Sequence, residues 1–475
     1  MPRRHVRLQQ PDPAVRAGLA ALRRELDVPD AFPAPVEQEA AALATAPPWR
    51  GDERRDATDV PFVTVDPEGS RDLDQAVHLE RRGAGYRVRY AIADVAAWLP
   101  PLGAVDDEAR ERVVTLYAPD GRTPLHPPVL SEGAASLLPD QDAPAVVWTV
   151  DLDGDGEPTR VEVVPSVVRS RAQLTYEGVQ RSFDDGTVDG PLALLREVGE
   201  LRVAAERARG GITLPTPEQV VERSGGRWVL ASRTTLAVED WNAQISLLTG
   251  MCAARTMLDG RVGVLRTLPR AEERDVERLR RTARALGVAW PEGAGVGEVV
   301  RALDASVPRH AAFLAEATSV LRGAAYVAFD GEAPADPWHG AIAAPYAHAT
   351  APLRRLVDRF VSAVCVALAA GQEVPDWVRA ALPELPARMA EGNQRAAAYE
   401  RGALDLVEAV LLSGREGEEF QGVVVDVREG RGVVQLADPV VTARVDGDGL
   451  PLGESVTVRL VEADVARRSV RFVWG

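Results

Sequence analysis

The sequence predicts an α+β fold in three parts, and three observations predict it. A strand-rich stretch opens near residue 58, helical periodicity dominates from about residue 190 to 415, and five short strands follow residue 416. Residues 12–27 (DPAVRAGLAALRRELD) and 34–46 (APVEQEAAALATA) carry helical patterns, the second ended by Pro47 and Pro48. They predict a small helical N-terminal domain over 1–57, either of helix-turn-helix type or a plain two-helix cap. PFVTVD (61–66) and YRVRYAIADVAAWL (86–99) read as strands, and 146–168 as a hairpin, opening a mixed domain over 58–415. In its second half PLALLREVGELRVAAERARGG, VEDWNAQISLLTGMCAARTML and ERDVERLRRTARALG place apolar residues at three- and four-residue intervals. Over 416–475 the runs FQGVVVDV, GVVQLAD, VTARVDG, ESVTVRLVEAD and RSVRFVW suit a small OB-fold barrel.

Bulk properties exclude some classes of protein. No stretch approaches a bilayer-spanning apolar run, so no membrane association is expected. The N-terminus is basic but lacks an apolar core, which argues against a secretion signal. Cys252 and Cys365 lie in apolar surroundings and read as reduced core residues, so a cytoplasmic location is expected. The formal charge of −16 opposes nucleic-acid binding on average, but a channel needs only local positive potential. The chain has no lysine, so every long basic side chain is an arginine, whose planar fork suits phosphate.

The sharpest motif is TVDPEGSRDLDQAV (64–77). Asp66 ends an apolar strand, a Pro-Glu-Gly turn follows, and Asp72 and Asp74 come six and eight residues later. Carboxylates brought together this way repel unless a hard cation lies between them, and oxygen-only donors select Mg²⁺ or Mn²⁺. The alternative is a solvated acidic turn. A second acidic run, 151–162, matches a calcium-loop string. Its strand-like flanks make it an Asp/Gly hairpin turn instead. In HGAIAAPYAHATAPLRRLVDRF (339–360), Pro352 predicts a helix start with Arg354 and Arg355 in its first turns. A phosphate clamp at a helix N-terminus is one reading and an ordinary basic helix face the other.

Taken together, these segments resemble the RNase II (RNB) family. The acidic stretch resembles its signature and TAPLRRLVD its Thr-Ser-Pro-Ile-Arg-Arg-Tyr-x-Asp segment, in the same order. YAIADVAAWL, LTYEGVQ, AVEDWNAQISLL and NQRAAAYER resemble the family segments between and after them, and the final barrel resembles an S1 domain. The resemblance covers roughly residues 55–475. It implies a processive, Mg²⁺-dependent hydrolytic 3′→5′ exoribonuclease releasing nucleoside 5′-monophosphates from single-stranded RNA, with Mn²⁺ as a substitute cation. A monomer with no obligate protein partner would suffice. Asp66, Asp72 and Asp74 fall on three of the family's four metal-site aspartates, and Gln75 on the fourth. Asp74 matches the aspartate on which catalysis chiefly depends, and Arg354 the arginine on the scissile phosphate. Arg355 matches a supporting phosphate contact, Tyr176 the tyrosine against the terminal nucleotide, Glu239 the glutamate near its sugar, and Glu400 a glutamate beside the RNA path.

Departures from the family pattern matter too. Gln75 cannot add charge, Leu214 stands where an aromatic usually stacks on a base, and Leu356 replaces a tyrosine. The head is too short for two cold-shock domains, and the barrel has few aromatics. RNA binding is therefore expected to be more electrostatic and salt-sensitive than is usual. The competing reading is a catalytically weakened RNA-binding protein.

Overall fold

The computed structural model describes residues 13–51, 53–214, 218–224, 227–233, 235–428, 431–436 and 438–475. Helix α1 (Pro13–Glu25) and α2 (Ala34–Thr45) precede a closed five-stranded barrel. Its strands are β1 (Arg55–Asp66), β2 (Gln75–Arg82), β3 (Gly85–Ala93), β6 (Asp142–Leu152) and β7 (Pro158–Thr175). Between β3 and β6 lie α3 (Ala104–Arg112) and the hairpin β4 (Leu116–Ala118) and β5 (Gly121–Thr123). All barrel pairings are antiparallel except β1 with β7, which closes the barrel in parallel and sets Asp66 beside Thr175.

Successive residues of these strands point to opposite faces, and here both faces are covered. Val88, Tyr90 and Ile92 of β3 and Val146, Trp148 and Val150 of β6 enter one apolar cluster. The residues between them, Ala91, Ala145 and Val147, enter another.

The helical half follows as α4 (Tyr176–Asp184), α5 (Gly190–Arg209), the β8 (Glu218–Ser224) and β9 (Arg227–Arg233) hairpin, and α6 (Ala237–Gly260). Next come β10 (Val262–Thr267), α7 (Glu273–Ala285), α8 (Val296–Arg301), α9 (Pro308–Ala317) and β11 (Ala325–Asp330). Two short strands, β12 (Trp338–His339) and β13 (Ala344–Pro345), lead to a loop and to α10 (Leu356–Ala369), α11 (Asp376–Ala381) and α12 (Leu385–Leu412). The C-terminal strands β14 (Glu419–Arg428), β15 (Arg431–Leu436), β16 (Thr442–Asp446), β17 (Ser455–Asp464) and β18 (Ser469–Val473) close the expected second barrel.

Three features bear on these expectations. The head helices do not share a core. Val15, Leu19 and Leu22 of α1 join the cluster containing α12, whereas Val36 and Ala40 of α2 join the other one. Gly18 permits the first contact, since a Cβ there would lie 2.6 Å from Leu406. Secondly, α10 starts at Leu356, so Arg354 and Arg355 sit in the turn before the helix rather than inside it. In that turn the Ala351 and Leu353 N–H groups donate to carboxylates described below, and those of Arg354 and Arg355 donate to the Ala351 carbonyl. Thirdly, the C-terminal barrel packs on the helical half. Val423, Val425, Val433 and Leu452 pack in one cluster with α7, α8 and α9, which Leu214 also joins. The 151–162 stretch is the hairpin expected: Asp153 Oδ1 accepts from the N–H groups of Asp155 and Glu157 at 3.0 and 2.8 Å.

Candidate active site

The barrel and two loops build the site. Asp66 ends β1, and the chain returns through 67–74 to start β2. That return is zipped to residues 136–137, and the zipper positions the aspartates. The Leu73 N–H donates to Ser136 Oγ at 2.9 Å, Ser136 Oγ donates to the Arg71 carbonyl at 2.7 Å, and Leu137 N–H donates to the Leu73 carbonyl at 3.0 Å. On the β2 side the Asp74 carbonyl accepts from Ala93 N–H at 2.9 Å.

The second loop brings the arginines. Asp74, only 4 % exposed, accepts from Leu353 N–H at 2.7 Å through Oδ1, and its Oδ2 faces Arg354 Nε at 3.3 Å. Arg355 behaves differently. It grips Asp358 through two bonds of 3.0 and 2.8 Å, and Asp358 also accepts from Ala351 N–H at 2.7 Å. Asp358 is fully buried, so Arg355 is committed to neutralising it and to shaping the turn. Arg355 is thus engaged by Asp358, and Arg354 is the member of the pair that faces the aspartates.

Burial dominates the electrostatics. Asp66 is pushed up to about 7 by desolvation, opposed by Arg354 and reinforced by Asp72. Asp74 is pushed up to about 8 by desolvation, against the pull of Arg354 and the Leu353 bond. Asp66 Oδ2 is buried with no hydrogen-bond partner among the described residues. Asp72 is bound by Arg122 of β5, whose other nitrogen bonds Glu132 at 2.9 Å. Nothing in the spacing of the sequence pointed to Arg122. Its hairpin is legible as a Pro-Asp-Gly turn, but its contact lies fifty residues away.

The three acids share one end of the barrel, yet they do not converge as a ready ligand set. Among the described residues no group of three or more His, Cys, Asp or Glu side chains is arranged to hold a metal ion. Guanidiniums lie against Asp72 and Asp74 instead. The donor chemistry nonetheless fits a hard divalent cation. An orphaned buried carboxylate oxygen and two carboxyls raised by desolvation are what such a charge would compensate. Gln75 differs from its neighbours, because both ends of its carboxamide already bond protein. Nε2 donates to the Thr350 carbonyl at 2.5 Å, and Oε1 accepts from the Tyr90 hydroxyl at 2.5 Å. The oxygen expected to serve a cation is therefore already an acceptor.

Tyr176 opens α4 next to Asp66 through the β1–β7 register. Its hydroxyl accepts from Asn242 Nδ2 at 3.2 Å, and burial pushes it up to about 12. Glu239 lies close enough for its charge to act on Tyr176, and its Oε1 caps α6 by accepting from Leu236 N–H at 3.1 Å. Glu400 is half-buried in α12 beside Tyr399, whose ring lies 6.0 Å from the Arg23 guanidinium of α1.

Comparison with known proteins decides the family. The RNB domain model matches residues 54–369, and the model of the RNase II-type exonuclease C-terminal S1 domain matches 418–474. The chain belongs to the RNB family. Among curated relatives it is 36% identical to ribonuclease R of Escherichia coli (strain K12) over 205 residues, 41% of this chain and 25% of that protein. It is 28% identical to exoribonuclease 2 of Vibrio parahaemolyticus over 218 residues, 43% of this chain and 33% of that protein. The matches thus span a quarter to a third of these relatives. Among solved structures, Mycoplasma genitalium RNase R in complex with ribose-methylated single-stranded RNA superposes with a TM-score of 0.87 at 19% identity, covering 98% of this chain and 78% of that one. Yeast Ssd1, described as a pseudonuclease, gives 0.72 at 16% identity, covering 98% and 58%. At these identities the structural matches establish the RNB fold with its C-terminal barrel.

Proposed function

We propose that this RNB chain is a Mg²⁺-dependent hydrolytic 3′→5′ exoribonuclease that degrades single-stranded RNA processively to nucleoside 5′-monophosphates. The observation that carries the reading is the pairing of buried Asp74 with Arg354 at 3.3 Å, beside Asp66, one of whose oxygens is buried with no hydrogen-bond partner among the described residues. Asp66, Asp72 and Asp74 would hold Mg²⁺, or Mn²⁺ in its place. A bound cation supplies Lewis acidity and charge neutralisation at the scissile phosphate. Arg354 exchanges its contact with Asp74 for a phosphate oxygen and offsets the charge that grows there in the transition state. Leu353 N–H stays on Asp74 and keeps its carboxylate in place. Tyr176 packs against the terminal nucleotide and Glu239 accepts from the 2′-hydroxyl of its sugar, the group that separates RNA from DNA. Glu400 lines the strand's path. Processivity, and action as a monomer needing no protein partner, belong to the same reading. No helix among the described residues is long and apolar enough to cross a membrane, and both cysteines are buried thiols. These observations support a cytoplasmic location.

A second reading, an RNA-binding protein with a weakened site, is favoured by one observation: the carboxamide of Gln75 is engaged with protein. Incubation with 5′-labelled single-stranded RNA and Mg²⁺ separates the two. The exonuclease converts the labelled RNA from its 3′ end to a short 5′ end product and releases unlabelled nucleoside 5′-monophosphates. Retention of full-length RNA on the protein rejects the proposed activity and supports the second reading.

A further inference from the structure

We propose that Gln75 is a positioning residue for the arginine-bearing loop, and that it does not serve as a cation ligand. The inference rests on the proposed nuclease reading of the site. Gln75 is the first residue of β2, directly after Asp74, and pairs with Ile92 of β3. Its amide nitrogen donates to the Thr350 carbonyl across 275 residues of chain, at 2.5 Å. Its carbonyl accepts from the Tyr90 hydroxyl at 2.5 Å, and Tyr90 in turn lies 2.8 Å from Ser246 Oγ on α6. The orientation of the amide follows from chemistry: a backbone carbonyl can only accept, so the NH₂ group must face Thr350. One side chain thereby joins β2, β3, α6 and the loop that leads to Arg354.

Its position in the chain gives this junction its consequence. Thr350 is buried, 4 % exposed, and lies three and four residues before the two groups that contact Asp74, the Leu353 N–H and Arg354 Nε. Gln75 thus fixes the loop from the residue next to the one the loop must meet. A carboxylate at position 75 could not make this junction. It has no N–H for the Thr350 carbonyl, and when ionised it would set negative charge against that carbonyl's oxygen. Holding the loop and ligating a cation are alternative uses of this position. The bonds present commit Gln75 to the first.

Gln75→Leu removes both bonds at similar side-chain length, and Gln75→Glu keeps the acceptor for Tyr90 while losing the donor to Thr350 unless it is protonated. We expect Gln75→Leu to lower turnover of single-stranded RNA by roughly ten- to a hundredfold. The Mn²⁺ dissociation constant, read from the electron paramagnetic resonance of free Mn²⁺, stays within about twofold. Gln75→Glu, which lacks the donor to Thr350, lowers turnover at pH 8 by at least about threefold. Turnover of Gln75→Leu within twofold of the unaltered protein overturns the inference. So does a loss of turnover accompanied by Mn²⁺ binding weakened tenfold or more, which would make Gln75 a ligand. A Gln75→Glu variant with turnover equal to that of the unaltered protein at pH 8 also counts against it and covers the case where the leucine variant fails to fold. If the unaltered protein does not shorten RNA, the proposed activity fails separately. The inference is then decided by RNA affinity in Mn²⁺: at least fivefold weaker binding by Gln75→Leu supports it, and equal binding rejects it.

Discussion

The two barrels of this chain place an aspartate at the same kind of backbone position and treat it oppositely. Each is a closed five-stranded barrel with a single parallel seam, β1 with β7 in the first and β16 with β18 in the second. Asp66 ends β1 on one seam, and Asp446 ends β16 on the other. Asp446 is 45% exposed and meets Arg471 at 3.4 Å, an ordinary surface pair. Asp66 is covered by the 67–74 return, by Tyr176 at the start of α4 and by the arginine loop. One of its oxygens is buried with no partner among the described residues, and its carboxyl is pushed up to about 7. The strand end alone therefore does not perturb a carboxyl. The loops that remove water from it do, and among the described residues such loops surround Asp66 and not Asp446.

The comparison is tested most severely at Asp74, the most buried acid of the first barrel. Asp74→Asn keeps an acceptor for Leu353 N–H but removes the charge, and it should lower RNA turnover by at least about a hundredfold. Because desolvation already penalises that charge, the melting temperature at pH 8 should hold or rise. Single-stranded RNA should still bind within a few-fold of the unaltered protein. Turnover and melting temperature measured on the same preparation check all of this. A fall in both together would mean that Asp74 is a structural acid, no different in kind from Asp446.

Much of this contrast was legible in the sequence, and the parts that were not share a cause. Asp66, Asp72 and Asp74 announced themselves because their spacing is local and follows an apolar strand. The second barrel was legible from five alternating runs. The ion pair of Arg355 with Asp358 was not legible although the two lie only three residues apart. Pro352 suggested a helix start, and nothing in the local pattern reveals that the Ala351 and Leu353 N–H groups go to Asp358 and Asp74. Gln75 and Arg122 were illegible for a different reason. Their partners, Thr350 and Asp72, lie far along the chain, and one sequence carries no record of which distant groups the closed barrel brings together. The head shows the same limit. Its two amphipathic faces were evident, but not that α1 and α2 serve different clusters.

A smaller effect should appear with pH in the metal-free protein. Asp66 at about 7 and Asp74 at about 8 stand above the unfolded carboxyl value of about 3.9. The folded state therefore holds extra protons. The stability these groups contribute is complete below about pH 4 and is lost as pH rises through 7 and 8, by an amount on the order of a few kcal/mol. Melting in EDTA should shift downward between pH 6 and 9, and saturating Mg²⁺ should flatten the slope by compensating the ionised acids. In the second barrel the sign reverses. Hydrogen bonds from Ser469 to Glu462 and from the Arg467 N–H to Asp464 hold those carboxyls low, so their contribution is lost only in acid. A melting temperature in EDTA that does not change from pH 6 to 9 would remove the distinction between the two sets of acids.

The smallest effect belongs to the aspartate that looks most like Asp66 in the backbone. Asp446→Asn abolishes the pairing with Arg471, but both side chains are nearly half-exposed, so the attraction is screened by water and salt. Arg471 also keeps its contact with Glu462 at 3.4 Å. The expected change in stability is about 0.5 kcal/mol or less, with RNA turnover unchanged, as read by chemical denaturation and the labelled-RNA assay. A large loss of turnover would show that the second barrel's seam also faces the reacting strand. The two seams would then be two parts of one site, and the loops around Asp66 would no longer suffice to explain why only one aspartate is reactive.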